Sequence, residues 1–289
     1  MTVIANPRQR QRRTRTTRQR TLWNVFAIVL GLLWAFPVYW MINSSMLPDS
    51  KLLNETPTFF PAAPDLAAFA GVFTDKQFWS SLRMSLTITL IAVGLSLVSA
   101  CLAALALSRL RFLGRRWVIV AVLVIQMIPT EAIFISQYKM LDSWNLLNSA
   151  LGLAILYAGT VLPFITWMLK GFIDGVPVEL EESAMVSGCT RTGAFFRITL
   201  PLLGPGLVAT GVFGFLAAWN EFTLALVMLT KAGTTTLPLW LQNFQTQNRG
   251  TDWGGVMAGS TAIAIPVIIL FLIVQNQMSK GMVAGAVKG

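Results

Sequence analysis

Residues Gly171–Pro201 read GFIDGVPVELEESAMVSGCTRTGAFFRITLP, a polar segment set between apolar runs long enough to cross a bilayer. Flanked in this way, it must lie in water or at a membrane surface. Pro177 suits a helix start, where a missing N–H costs nothing. Glu179, Glu181 and Glu182 follow near the positive end of the helix dipole, and Gly188 is a natural stop. Pro177, Leu180, Ala184, Ser187 and Gly188 share one face and are mostly small. A partner can approach such a face closely, while the acidic residues project to the sides to meet basic groups. Phe195, Phe196 and Ile198 add apolar anchors. A connector lying on headgroups is the blander alternative, but a run of carboxylates is repelled by an anionic leaflet. A protein partner fits better.

Composition sets the class. The chain of 289 residues is 55% hydrophobic and 12% charged, with a mean hydropathy of +0.65. Soluble domains carry about 25% charged residues, so this is an all-α polytopic membrane protein. Six stretches reach the length of about 20 residues needed to cross roughly 30 Å of hydrocarbon: Leu22–Ile42, Leu82–Leu107, Trp117–Tyr138, Ser149–Leu169, Leu202–Leu229 and Val256–Val274. The fifth is long, and Leu203-Gly204-Pro205-Gly206 is expected to break or tilt it. Pro129 and Pro163 are expected to kink their helices.

The chain divides into a basic tail (1–21), a six-helix transmembrane domain (22–276) containing the segment 171–201, and a C-terminal tail (277–289). Most of the net charge of +10 lies in Arg8, Arg10, Arg12, Arg13, Arg15, Arg18 and Arg20. Placed before an apolar run, these read as a topology anchor drawn to anionic lipid, not as a nucleic-acid arm. The run is too long for a signal-peptide core and lacks a small-x-small cleavage site. Arg109, Arg111, Arg115 and Arg116, then Lys170, Arg191 and Arg197, bias alternate connections. Both termini and the segment 171–201 are therefore expected on the cytoplasmic side of the membrane.

Chemistry by this chain alone starts at a disadvantage. It holds no histidine, and Cys101 and Cys189 have neither metal spacing nor an obvious pairing. No metal site and no phosphate loop is present. Glu131 and Glu221 fall within apolar runs, where carboxylates face a pathway or a partner; they would equally serve a proton relay in a secondary transporter. Trp219 and Asn220 suit a sugar, though helix packing explains them as well. Asn243, Gln245 and Trp253, in a polar and aromatic loop that also holds Gln247 and Asn248, suit contact with carbohydrate or its carrier.

Glu182-Ser183-Ala184, three residues, Gly188, nine residues, then Ile198-x-Leu200-Pro201 resembles the EAA motif of the membrane subunits of binding-protein-dependent ABC importers. Ser183 and Ser187 depart from the family pattern but remain small. Gln126-Met127-Ile128-Pro129, Leu162-Pro163-Phe164, Ala218–Phe222 and the ending Gly281–Gly289 are similar to the carbohydrate branch, maltose/maltodextrin-type second permease subunit. The resemblance implies a type I importer permease with six transmembrane helices and a cytoplasmic coupling helix. Glu182, Ser183, Ala184, Gly188, Ile198, Leu200 and Pro201 would then dock on a cytoplasmic ATPase dimer. That ATPase would carry ATP and Mg; no cofactor is expected on this chain, which is not itself an enzyme. Further implied partners are a second, different permease chain, an extracytoplasmic sugar-binding protein and a sugar, expected to be an oligosaccharide. Lys288 would reach the ATPase. A proton-coupled carrier and a docking scaffold without transport are the competing readings.

Overall fold

The computed structural model describes residues 7–246 and 250–286, so Gln247, Asn248 and Lys288 lie outside it. In chain order its helices are α1 (Pro7–Ser45), α2 (Asp49–Leu52), α3 (Ala67–Thr74), α4 (Lys76–Arg109), α5 (Arg115–Ile125), α6 (Phe134–Ser143), α7 (Ala150–Asp174), α8 (Val178–Val186), α9 (Arg191–Ala194), α10 (Leu200–Leu202), α11 (Gly204–Trp219), α12 (Thr223–Met228), α13 (Leu237–Trp240) and α14 (Trp253–Ala286). They fall into two compact units, one of residues 7–72 and 250–261, the other of 73–246 and 262–286.

In the first unit, α1 begins inside the basic tail and continues through the first apolar run. Its membrane-length part, Gln19–Ser45, buries none of its apolar window within the chain. Such a surface belongs in lipid. The Pro-rich stretch after it folds back on its end: Asn43 Nδ2 donates to the Thr58 carbonyl at 2.8 Å, and Trp40 meets Phe59 edge-on at 5.6 Å.

The second unit is built on α4 against α7. Ala92, Ser96, Ala100 and Ala104 recur at every fourth position of α4 and are all buried. Without side-chain bulk, the two helices approach closely, and dispersion contacts replace a hydrophobic drive that lipid cannot supply. Ser96 Oγ donates to Ala92 O at 2.7 Å and reaches Ala158 O on α7 at 3.2 Å. Asp75 starts α4 by accepting from Gln77 N at 2.8 Å, and Ser149 starts α7 by accepting from Gly152 N at 3.0 Å.

Among the described residues, four helices are long and apolar enough to span a membrane unbroken; six spans result if each of two bent pairs counts as one. The third expected span is such a pair, α5 and the stretch Thr130–Ser143 meeting at 97°. Pro129 lies in the break with φ −58° and ψ +125°: it lacks a donor, and a proline disfavours the helical region for the residue before it. Two short turns, Met127 N to Val124 O at 2.9 Å and Ile128 N to Ile125 O at 3.2 Å, close α5 before it. Pro163, by contrast, sits inside the unbroken α7. The fifth run bends by 69° between Leu202 and Gly204, where the Gly-Pro-Gly sequence is expected to break it. It also ends early. Expected to reach Leu229, its helix stops at Trp219 and a new one starts at Thr223. α14 extends to Ala286, through much of the expected C-terminal tail.

Ala100→Leu forces methylenes into the α4–α7 contact, a change that costs about 1–3 kcal/mol in well-packed interiors. Thermal denaturation of the purified full chain is expected to show a lowered midpoint for Ala100→Leu, and none for Val98→Leu, whose position is exposed.

Candidate functional site

The patterned segment folds as the sequence predicts, but its anchorage lies elsewhere in the chain. α8 runs from Val178 with Pro177 just before it. At its end Gly188 takes φ +93°, so that Gly188 N donates to Met185 O and Cys189 N to Ala184 O, both at 3.0 Å. This double bond satisfies the last carbonyls and needs a left-handed residue. Ser183 and Ser187 turn their hydroxyls onto their own helix, to Glu179 O at 2.8 Å and Ser183 O at 3.0 Å. The chain returns through α9, whose Thr190 side chain accepts from Gly193 N at 3.1 Å. A single wide turn, Phe195–Thr199, leads to Leu200 and Pro201.

One ion pair fixes this whole element. Arg109, the last residue of α4, places Nε 2.9 Å from Glu181 Oε1, with both side chains only 8% exposed. Arg109 Nη2 donates to Val176 O at 2.8 Å, and Thr199 Oγ1 donates to the same Glu181 oxygen at 2.6 Å. The end of α4, the entry to α8, α8 itself and the returning strand of chain thus converge on two side chains. Beside them Ser108 Oγ and Lys170 Nζ both donate to Asp174, each at 2.5 Å. Glu181 is therefore not one of the outward-facing acids expected from the sequence: it points inward and is already paired.

Glu179, Glu182 and Ser183 remain exposed, with the apolar Val178, Leu180 and Val186 beside them; Val186 is 90% exposed. Ala184, Ile198 and Leu200 are half-buried, and Gly188 and Pro201 are exposed. The outward face of α8 is thus a mixed apolar and acidic surface, left open by its own chain.

The expected pathway residues separate. Trp219 is a packing residue and not a free sugar platform: it is 1% exposed, stacks on Phe215 with ring centres 5.4 Å apart, and donates from Nε1 to Ile263 O at 3.3 Å. Glu221 is occupied too. Its carboxylate accepts from Leu224 N at 2.8 Å and Ala225 N at 3.3 Å, satisfying the open N–H groups at the start of α12. That cap explains why the fifth run breaks at Asn220. Asn220 and Glu131 are exposed. Asn243 and Gln245 are exposed in the second unit; Trp253 is exposed at the start of α14 in the first. The aromatic Trp240 of the same expected loop is buried, donating to Asp75 Oδ2 at 2.8 Å.

A cavity of about 480 Å³ opens at the broken third span, where Gln126, Thr130 and Gln137 face Thr160 and Pro163 of α7. It has no charged lining residue. The runs Gln126–Pro129 and Leu162–Phe164 both carry residues of this cavity, a juxtaposition that no spacing in the sequence reveals.

Residues 92–283 match the family described as binding-protein-dependent transport system inner membrane component. The chain belongs to this family. As a permease component it is similar, at 45% identity over 266 residues covering 92% of this chain and 96% of the relative, to the diacetylchitobiose uptake system permease protein of Streptomyces coelicolor. It is also 32% identical to the trehalose transport system permease protein of Mycobacterium tuberculosis, over 94% of this chain and 99% of the relative. A chain from the crystal structure of a bacterial ABC transporter involved in import of the acidic polysaccharide alginate shares the permease's fold. The TM-score is 0.74 at 22% identity, over 89% of this chain and 96% of that one.

Removing one partner of a buried ion pair costs about 3–5 kcal/mol, whereas replacing both with apolar groups is often neutral. Glu181→Gln is thus expected to lower the denaturation midpoint of the full permease sharply. Arg109→Met with Glu181→Met is expected to recover most of it. A single variant as stable as the parent would contradict the assignment of this pair as the anchor.

Proposed function

We propose that the chain is one permease subunit of an ATP-driven ABC importer that carries a sugar, most suitably a short neutral oligosaccharide, across the bacterial inner membrane. The observation that carries this reading is the outward face of α8, held by a buried ion pair and open for a partner. In this reading α8 is the coupling helix. Glu182, Ser183, Ala184 and Gly188 form its docking face, and Ile198, Leu200 and Pro201 set the entry to the next span. The bent pairs count as single spans, which gives six. The tails 1–21 and 277–289, Arg109–Arg116 and Gly171–Pro201 lie in the cytoplasm, as the positive-inside rule favours.

ATP and Mg belong to a partner ATPase dimer. It drives alternating access by favouring one arrangement of docked subunits over another. A second, different permease chain completes the pathway, and an outer binding protein delivers the sugar, with Asn243 and Gln245 as candidate contacts on the second unit and Trp253 as one on the first. Trp219 and Glu221 act on the pathway only through helix placement. Asn220, Glu131 and the neutral cavity beside Gln126 and Thr160 are the direct candidates. An uncharged, hydrogen-bonding wall suits hydroxyl and amide groups. The names of the sugar-uptake relatives support an oligosaccharide, and diacetylchitobiose is the first to assay.

Glu182→Lys is expected to abolish uptake of radiolabelled sugar and co-purification of the ATPase, while the full chain still inserts. Uptake in wild-type cells is expected to stop when ATP hydrolysis is poisoned, yet survive collapse of the proton gradient. The reverse pattern would favour a proton-coupled carrier and overturn the reading.

A further inference from the structure

Two adjoining cavities at the end of α4 have complementary chemistry. The larger, about 890 Å³, lies between that end, the connection to α5, and α8; Arg109, Arg111, Arg115 and Arg191 all line it. Its carboxylates are Glu181, which is spent on Arg109 at 2.9 Å, and Glu182. Arg111, Arg115 and Arg191 are in no ion pair among the described residues. Arg115 Nη2 makes a long contact of 3.5 Å to Ser108 O, and its charge also acts on the Asp174 carboxylate nearby. The cavity is therefore lined by more guanidinium groups than carboxylates, and guanidinium is the group best shaped for bidentate binding of phosphate.

The second cavity, about 280 Å³, shares Ala106, Arg109, Leu110, Glu181 and Arg191 with the first. It continues along Leu102, Leu105, Phe195 and Phe196, and its character is apolar. Leu102 lies two helical turns before Arg109 on α4, about 10 Å deeper along its axis at the usual helical rise. Leu102 and Phe196 are both exposed. A groove thus runs from a cluster of arginines to an apolar stretch about one to two helical turns along α4, within one unit of the fold.

We infer that these joined cavities form a binding site for an anionic phospholipid, its phosphodiester among Arg111, Arg115 and Arg191 and an acyl chain along Leu102, Leu105 and Phe196. A free phosphate offers the same headgroup chemistry but leaves the apolar groove empty. A zwitterionic lipid fills the groove but carries a cation into the arginines. Only the anionic lipid matches both halves. Seated there, it bridges α4 and α8 beside the ion pair that joins them. Glu182 also lines the basic cavity, but lipid binding is read on the full chain without solute or ATPase, so a failure here leaves the transport reading untouched.

The test is native mass spectrometry of the full chain, delipidated and then titrated separately with phosphatidylglycerol, phosphatidylcholine and inorganic phosphate. Phosphatidylglycerol is expected to bind at least tenfold more tightly than either. Each juxtamembrane basic residue contributes about 1 kcal/mol toward anionic lipid, so Arg111→Gln with Arg115→Gln is expected to weaken phosphatidylglycerol binding about 30-fold. Arg111→Lys with Arg115→Lys is expected to weaken it less than the Gln pair, since the charge is kept while the bidentate fork is lost, which separates lost charge from lost folding. Leu102→Gln is expected to weaken the lipid without altering retention of phosphate. Equal retention of the two lipids, binding of phosphate as tight as that of phosphatidylglycerol, or an unaffected double Gln variant would each overturn the proposal.

Discussion

A guanidinium taken out of water must be paired, and at the end of α4 that requirement organises the surrounding chain. Among the described residues, Glu181 and the Val176 carbonyl satisfy Arg109 at close range, with Ser108 Oγ at 3.5 Å, so α8 must lie where those groups can reach. Thr199 then shares the Glu181 oxygen, which brings the returning segment to the same point. The position of the outward face of α8 follows from this pairing. The acid that makes the pairing is lost to any external partner, and Glu179 and Glu182 are left to face outward.

Above that junction the bundle depends on smallness. Ala92, Ser96, Ala100 and Ala104 let α7 lie close against α4, and glycine does the same for α11. A Cβ on Gly214 would stand 2.9 Å from Ile165 Cδ1, and one on Gly206 would stand 2.6 Å from the Phe172 ring. Because α7 leads directly toward α8 and α11 leads away from it, these contacts connect the docking element to the body of the second unit. The breaks serve a different end. Pro129 opens the third run beside a neutral cavity, and the Glu221 cap turns the fifth run without leaving the N–H groups of α12 unsatisfied.

Much of the fold is legible in the sequence because lipid imposes a simple rule: long apolar runs become helices. The start and stop of α8 are equally legible, since Pro177 and Gly188 act through their own backbones. The break at Leu203–Gly206 follows from local chemistry in the same way. What is not legible depends on distant partners. Arg109 and Glu181 are separated by 72 positions, and by itself Arg109 reads as one more basic residue of a connection. Glu221 reads as a costly carboxylate in an apolar run, because nothing nearby announces that it caps the next helix. Trp219 suits a sugar or a helix contact until Phe215 and Ile263 are seen to cover it. Local rules find elements; pairing across the chain decides which of their residues remain free.

The central physical claim is that α8 and the end of α4 move as one body. Spin labels at Val186 and Val98 in the assembled, membrane-embedded transporter would measure this directly by pulsed electron resonance, with and without ATP. One narrow distance distribution, unchanged by nucleotide, is the outcome the buried pair requires. A distribution that broadens or shifts when ATP binds would mean that α8 slides on α4, and the account would be contradicted.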